Sequence, residues 1–372
     1  MGKYLESFID HLDTNEDEHE YVLFMSEREF DEFSPKSPRI QRVKTAIKSG
    51  GIMEHALFPL ELQKKHLDLV LFPTPHIPLF YFGKSVIILP DLVSYFYPEK
   101  HLSGSFMRFI QTFLLRMNIQ KASTIIVLGE VLKRDIIEIF DTKEEKIHII
   151  PPMHITPHPS PLLKGEGVKN ENNLPSPSRR RVGDEVWENE GAQFLRKENL
   201  TRKYILSVWE LREYKNIPRL LAAYNLLIKE DRLDIDLVLV GKEDPTYHEI
   251  RSTLIALGLQ SRVHIYNVLD EEKIGYLYQN TSLYVLPSLY EGSEQAILEP
   301  IAHHLPIASA LLPSVTALLK KDDAIFFRPM GIQDIRDALK KGLSNPMKKD
   351  IIRDMSRHDV SNISRQILKT FS

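Results

Sequence analysis

The sequence predicts an α/β protein of two doubly wound parallel-sheet domains. Three observations carry that expectation. At 372 residues the chain is too long for one ordinary core and about right for two. Short apolar runs alternate with helix-period stretches in two separate blocks. Between the blocks lies a Pro-, Ser-, Gly- and charge-rich segment with no apolar period.

In the first block, residues 3–12 read as the end of an amphipathic helix, and YVLFM (21–25) as a strand. Further strands are expected near 68–72 and 85–90, at STIIVL (123–128) and at KIHIIPP (146–152), with helices at 103–119 and 130–140. Apolar runs this short, separated by helices, suit parallel strands buried on both faces. Residues 157–194 cannot bury enough surface to offset the entropy of ordering them, so 153–200 is predicted to be a disordered linker or insertion. Arg179–Arg181 within it are read as solvated linker charge in preference to a phosphate contact. The second block opens with the strand KYILSVWE and the helix IPRLLAAYNLLI, followed by DIDLVLVGK, TYHEIRSTLIALGL, RVHIYNV, EEKIGYLY, SLYVLPS, AILEPIAHH and LPIASA. The expected domains are therefore 1–152 and 201–372, with the last helix able to cross back to the first. Ligands of such sheets sit beyond the carboxyl ends of the strands.

Composition narrows the function. Hydrophobic residues are 42% and charged residues 27%, as in a soluble globular protein, and the net charge of −3 provides no general attraction to nucleic acid. The absence of cysteine removes disulfides, thiolate nucleophiles and cysteine-ligated metal sites. No apolar run approaches a membrane span and the first twenty residues carry no signal-peptide pattern, so the expected compartment is the cytoplasm.

The chemistry is expected in SLYVLPSLYEGSEQAILEP, residues 282–300. An apolar strand ends in a Pro-Ser turn, followed by Glu291, Gly292 and a helix from about Glu294. Glu291 then lies in the loop ahead of the helix and Glu299 more than a turn inside it. Backbone N–H groups at such a helix start accept phosphate or sugar oxygens, and a carboxylate can take two hydrogen bonds from the vicinal diol of a ribose. In SVWELREYKN (207–216), Lys215 follows the first strand of this half; it either faces the strand-end crevice as a cation or is an exposed helix-start residue.

Together these segments resemble glycosyltransferase family 4, retaining enzymes of the GT-B fold, in which two Rossmann-like domains face a cleft. The resemblance rests on Lys215-Asn216, the LVLVG strand ending at Gly241, RVHIYNVLDEEKIGYLY (262–278), PSLYEGSEQAILE and AIFFRP (324–329). In the N-terminal half it rests on ILPDLVSYFYPE (88–99) and ASTIIVLGEVLKRDIIEIF (122–140). It implies a nucleotide-sugar donor and a glycan or lipid-linked acceptor, with mannosyl- or glucosyltransfer in polysaccharide assembly and no metal or other cofactor. By the same resemblance Glu291 contacts sugar hydroxyls, Glu299 the ribose diol and Lys215 the diphosphate. Val268 and Leu269 line the base pocket, Gly292 and the amides of Ser293, Glu294 and Gln295 cradle sugar and phosphate, and Asp91 approaches the transferred sugar or acceptor.

The chain departs from that pattern in four places. Trp209-Glu210 replaces a small residue and an arginine, so Glu210 must turn away or Arg212 must substitute. Gly292-Ser293-Glu294 replaces Gly-Phe-Gly, and Pro90 replaces a histidine. Met1-Gly2-Lys3-Tyr4 resembles the tail of the glycine loop after a first strand that is absent, from which weak or no transfer is expected. The stretch 103–121, apolar with basic flanks, is read as a core-packing helix in preference to a membrane-surface one, with peripheral membrane contact left open. His303-His304 read as a helix end and not as metal ligands. The alternatives to a transferase are a catalytically impaired nucleotide-sugar-binding relative and a nucleotide-sugar epimerase on the same fold.

Overall fold

A computed structural model describes residues 2–15, 17–47, 52–98, 105–153, 182–242, 248–267, 269–344 and 356–371. The chain divides into two compact units. Unit 1 comprises Met1–Ile155, Gly292–Gln295 and Asp354–Ser372; unit 2 comprises Thr156–Glu291 and Ala296–Arg353.

Unit 1 begins with α1 (Gly2–Thr14), β1 (Tyr21–Met25), α2 (Glu27–Glu32), β2 (Ile40–Lys44) and α3 (Ile52–Gln63). It continues through β3 (Val70–Phe72), β4 (Ser85–Leu89), α4 (Val93–Phe96), α5 (Ser105–Lys121), β5 (Thr124–Val127), α6 (Glu130–Phe140) and β6 (Ile147–Ile149). All strand pairs are parallel, in two pieces: β1 with β2, and β3-β4-β5-β6. β4 is buried at all five positions, as a strand covered on both faces must be. One core joins the pieces: Tyr4, Phe8 and Leu12, at four-residue spacing on α1, pack with Ile40, Val86, Ile88 and Ile126. Ile363 and Ile367 of the chain's last helix join the same core. The sequence pattern did not mark α2, α3, α4 and β2; β2, IQRVK, has three polar residues and one buried position, too little to set a strand period.

The helix α5 differs from the core-packing expectation. Asn118 and Ile119 are buried, but Phe106, Phe109 and Phe113 are 75%, 67% and 56% exposed. Spaced by three and four residues, these rings share one solvent-facing side of a helix that contains no acidic residue.

Unit 2 holds α7 (Val182–Lys197), β7 (Tyr204–Val208), α8 (Ile217–Lys229), β8 (Asp236–Val240), α9 (Glu249–Leu257), β9 (Val263–Tyr266) and α10 (Glu271–Asn280). It continues with β10 (Leu283–Leu286), α11 (Gln295–Ala302), β11 (Ile307–Ala310), α12 (Pro313–Thr316), β12 (Ile325–Phe327) and α13 (Ile332–Ser344); α14 (Val360–Lys369) is the last helix, in unit 1. The helix α7 corrects the expectation of disorder across 153–200. Residues 154–181 of that segment lie outside the described residues, but Val182–Lys197 is helical. Phe194 is buried with its ring 6.2 Å from that of Tyr276 on α10. The apolar side chains of α7 are too sparse to set a period, and their partner is remote in sequence.

The six-stranded sheet of unit 2 is wholly parallel, in the order β12-β11-β10-β7-β8-β9. The chain runs outward from β7 through β8 to β9, then restarts at β10 and runs outward the other way. The direction reverses between β7 and β10, and the carboxyl ends of those two strands mark where a ligand of a doubly wound sheet belongs. Gly241, just beyond β8, has φ +152°, and a Cβ there would overlap the carbonyl of Trp209. Only glycine lets the two loops at these strand ends close on each other.

Candidate functional site

The site in unit 2 is built where the sheet reverses. β7 delivers Trp209 and, through a single 3₁₀ turn, Lys215; β10 delivers Ser288 and Glu291. Lys215 Nζ lies 2.6 Å from Glu291 Oε1, with side-chain exposures of 4% and 11%. The same ammonium sits 4.7 Å and 4.8 Å from the ring centroids of Trp209 and Tyr214. Lys215 is therefore not an exposed helix-start residue: it is buried, stacked against aromatic faces and paired with one carboxylate. Pairing and ring stacking offset the desolvation that would otherwise expel it.

Neighbouring polar contacts fix the loops. Asn216, at φ +58°, donates from Nδ2 to the carbonyls of Pro287 (3.0 Å) and Pro329 (2.7 Å), tying together the loops after β7, β10 and β12. The Leu289 amide donates to the Tyr214 carbonyl at 2.7 Å. Trp209 Nε1 donates to the Tyr284 hydroxyl at 2.7 Å, which donates to the Ala296 carbonyl in the first turn of α11 at 3.1 Å. Burial holds the Tyr284 hydroxyl protonated, far above its ordinary range. Ser288 Oγ is buried with no hydrogen-bond partner among the described residues. Glu299 lies half-buried inside α11, and α11 starts one residue later than expected. Glu210, the acid that was to turn away or be replaced, is 56% exposed on its side chain and paired with Arg212 Nε at 2.8 Å. Leu269 is half-buried; Val268 lies outside the described residues.

The remaining predicted residues gather in unit 1. Asp91 follows β4 and accepts the Val93 amide at 2.8 Å, which starts α4. Gly292 lies against it: a Cβ on Gly292 would stand 2.8 Å from Asp91 Cβ and 2.9 Å from the Pro90 carbonyl oxygen, so a side chain there would force the two segments apart. Ser293 and Glu294 are buried, and Gln295 is exposed with its amide donating to Ser293 Oγ at 3.4 Å. Glu294 Oε1 accepts from Arg357 at 3.0 Å, and Arg357 Nε donates to His358 Nε2 at 2.9 Å. His358 Nε2 is therefore the acceptor nitrogen, which leaves Nδ1–H to donate to the Pro152 carbonyl at 2.8 Å. Sequence reading took Glu294 as a side chain in a place usually bare and missed Arg357 and His358 altogether. They come from a segment 63 residues further along, and no local pattern links them to Glu294. Among the described residues, no three His, Asp or Glu side chains gather as a metal-holding group.

Against this geometry, residues 191–359 match the family described as glycosyl transferases group 1. The serotype-specific mannosyltransferase WbdA of Escherichia coli is 25% identical over 280 residues, a match covering 74% of this chain and 31% of that protein. This chain thus spans about a third of the length of that relative. An uncharacterized glycosyltransferase of Haemophilus influenzae is 28% identical over 149 residues, covering 40% of this chain and 41% of that one. Among solved structures, Anabaena HepE in complex with UDP and glucose superposes with a TM-score of 0.69 at 17% identity, covering 100% of this chain and 95% of the other. WaaG, a glycosyltransferase involved in lipopolysaccharide biosynthesis, has a TM-score of 0.61 at 15% identity, covering 99% and 91%.

Two predictions follow from the polar contacts. Lys215→Ala leaves Glu291 buried without its cation, and unfolding in denaturant should show a loss of about 3–5 kcal/mol; Glu291→Gln, which keeps a hydrogen-bond acceptor and the aromatic faces, should cost less. Burial raises the Glu294 carboxyl above its ordinary 4.5, opposed by backbone hydrogen bonding and Arg357. The folded state then binds the proton more tightly than the unfolded one, so its contribution is fully present below pH 4.5 and is lost as pH rises through the raised value. The stability difference between wild type and Glu294→Gln, measured by denaturant unfolding from pH 4 upward, should change in that direction; a flat difference counts against it. Residues 191–359 thus resemble glycosyl transferases group 1, in a chain whose fold is that of GT-B glycosyltransferases.

Proposed function

We propose that this chain moves a hexose from a nucleotide diphosphate sugar, GDP-mannose or a UDP-sugar, to a glycan or lipid-linked acceptor with retention at the anomeric carbon. The observation that carries the reading is the buried Lys215 at the reversal point of the unit 2 sheet, a cation held where a diphosphate would lie. Lys215 stabilises the departing diphosphate, Glu299 takes the ribose diol, Glu291 holds sugar hydroxyls and keeps Lys215 aimed, and Asp91 serves the transferred sugar or acceptor. Arg212, with Leu269 and Val268, completes the donor pocket of unit 2, and the backbone of Gly292 to Gln295 serves the sugar and phosphate. The bond from the anomeric carbon to the diphosphate oxygen breaks as the acceptor oxygen bonds to that carbon. The acceptor's proton passes to the leaving phosphate oxygen. Such transfer needs no enzyme nucleophile and no metal, and its rate comes from positioning and charge stabilisation. The mannosyltransferase name of the WbdA relative supports mannose among the donors.

The exposed Phe106, Phe109 and Phe113, with Arg108 and Arg116 on the same helix, support a peripheral membrane setting and a lipid-linked acceptor. Among the described residues no helix is long and apolar enough to cross a membrane.

Calorimetric titration of GDP-mannose, UDP-glucose and UDP-N-acetylglucosamine should give selective binding that Glu299→Ala loses, with product NMR showing the donor's anomeric configuration kept. A folded chain that binds none of the three, or that isomerises donor without acceptor, overturns the reading. Co-flotation with anionic vesicles should fall on replacing the three phenylalanines by serine; undiminished flotation would remove the membrane setting and leave the transfer chemistry untouched.

A further inference from the structure

The ammonium of Lys215 is closed in but not fully paired. Its side chain is 4% exposed, and Glu291 Oε1 at 2.6 Å is the one hydrogen-bond acceptor that it meets among the described residues. An ammonium carries three N–H donors, so two of them have no oxygen to donate to. The rings of Trp209 and Tyr214, at 4.7 Å and 4.8 Å, attract the charge but supply no oxygen lone pair. Two spare donors on a buried cation suit the oxygens of a diphosphate. A ligand reaches them only if part of the surrounding wall moves.

That wall has two aromatic pieces, and only one can move alone. Tyr214 precedes Lys215 in the same 3₁₀ turn, and its carbonyl accepts from the Leu289 amide at 2.7 Å. Displacing Tyr214 therefore displaces the lysine. Trp209 lies six residues earlier, and its backbone is pinned. Its amide donates to the Val240 carbonyl at 2.7 Å, and Gly241 packs against its own carbonyl. The side chain is less constrained. Trp209 is half-buried, and its indole makes one hydrogen bond, from Nε1 to the Tyr284 hydroxyl at 2.7 Å. Tyr284 is fully buried and donates onward to the Ala296 carbonyl, so it is a fixed post. Rotating the indole away costs one hydrogen bond and one cation–π contact, and leaves every backbone contact in place.

We propose that Trp209 gates Lys215: a ligand diphosphate takes the two spare donors only after the indole leaves Tyr284. Trp209 is thus a positioning residue, acting on the ligand through the lysine, in a role that rests on the reading of the unit 2 site as a donor site. Glu291 keeps its bond to Lys215, and the diphosphate replaces the ring as the ammonium's neighbour. A diphosphate, with oxygens for both donors, offsets the cost of opening, whereas a neutral sugar does not.

The chain has two tryptophans, so Trp187→Phe leaves Trp209 as the sole tryptophan reporter. The test is fluorescence and calorimetric titration of the full chain, as wild type and as Trp187→Phe, with GDP, UDP and mannose. Saturation with the nucleotide that binds should move Trp209 emission to longer wavelength, as the ring exchanges its buried place for solvent; mannose should leave it unchanged. Trp209→Phe, which keeps a ring and loses the Nε1 bond, should bind that nucleotide about fivefold tighter. Trp209→Ala should bind it roughly tenfold tighter or more, because no closed state competes. Denaturant unfolding shows which variants are folded; if Trp209→Ala is not, Trp209→Phe and the emission shift decide. Nucleotide binding with unchanged emission and unchanged affinity in the Trp209 variants overturns the gate and leaves the donor reading standing. Weaker binding on loss of the indole also overturns it, and makes the ring a wall of the ligand's pocket. If wild type and the folded Trp209 variants bind neither nucleotide, the diphosphate reading of Lys215 falls and the gate falls with it.

Discussion

A parallel sheet whose strand order reverses leaves two loops splayed apart at its carboxyl edge, and unit 2 depends on how those loops are held. Lys215 and Glu291 span the reversal with one charged contact 2.6 Å long. Buried charge of this kind persists only when every partner is in place. Trp209 and Tyr214 cover the ammonium, Asn216 clamps the neighbouring carbonyls, and Tyr284 couples Trp209 to the first turn of α11. Gly241 lets the backbone after β8 approach that of Trp209. The result is a preorganised cation at the place where a doubly wound sheet meets its ligand.

Unit 1 solves a different problem. Gly292–Glu294 of the loop ahead of α11 and Gln295, the helix's first residue, belong to it, and Glu294 is buried there. The Glu294–Arg357–His358–Pro152 chain of hydrogen bonds offsets part of the cost of that burial, with Arg357 and His358 drawn from the C-terminal segment. A glutamate at a position where glycine was expected is thereby accommodated as a structural group, with Gly292 still bare against Asp91.

The helix α5 shows why periodicity alone does not fix a role. Its apolar residues are frequent enough to suit either a core or a surface contact. Its Asn118–Ile119 turn is buried while three phenylalanines face solvent. Which side of a helix meets the protein depends on neighbours that the helix's own sequence does not name.

By itself the sequence determined the alternation of strands and helices and the parallel sheets, and it put Lys215, Glu291 and the Glu-Gly turn beyond the carboxyl ends of strands. These depend on short apolar runs, on helix periods and on a local motif, all of which are encoded within about twenty residues. It missed α7, whose apolar contacts are few and whose partner Tyr276 is some eighty residues away. Only the tertiary structure decided that Lys215 pairs with Glu291, that Glu294 is answered by Arg357, and that Trp209 is held by Tyr284. Those relations join residues tens of positions apart through packing. A charge or an amide reads the same in sequence whether it is solvated or buried, and its partner is fixed only when the backbone between them has folded.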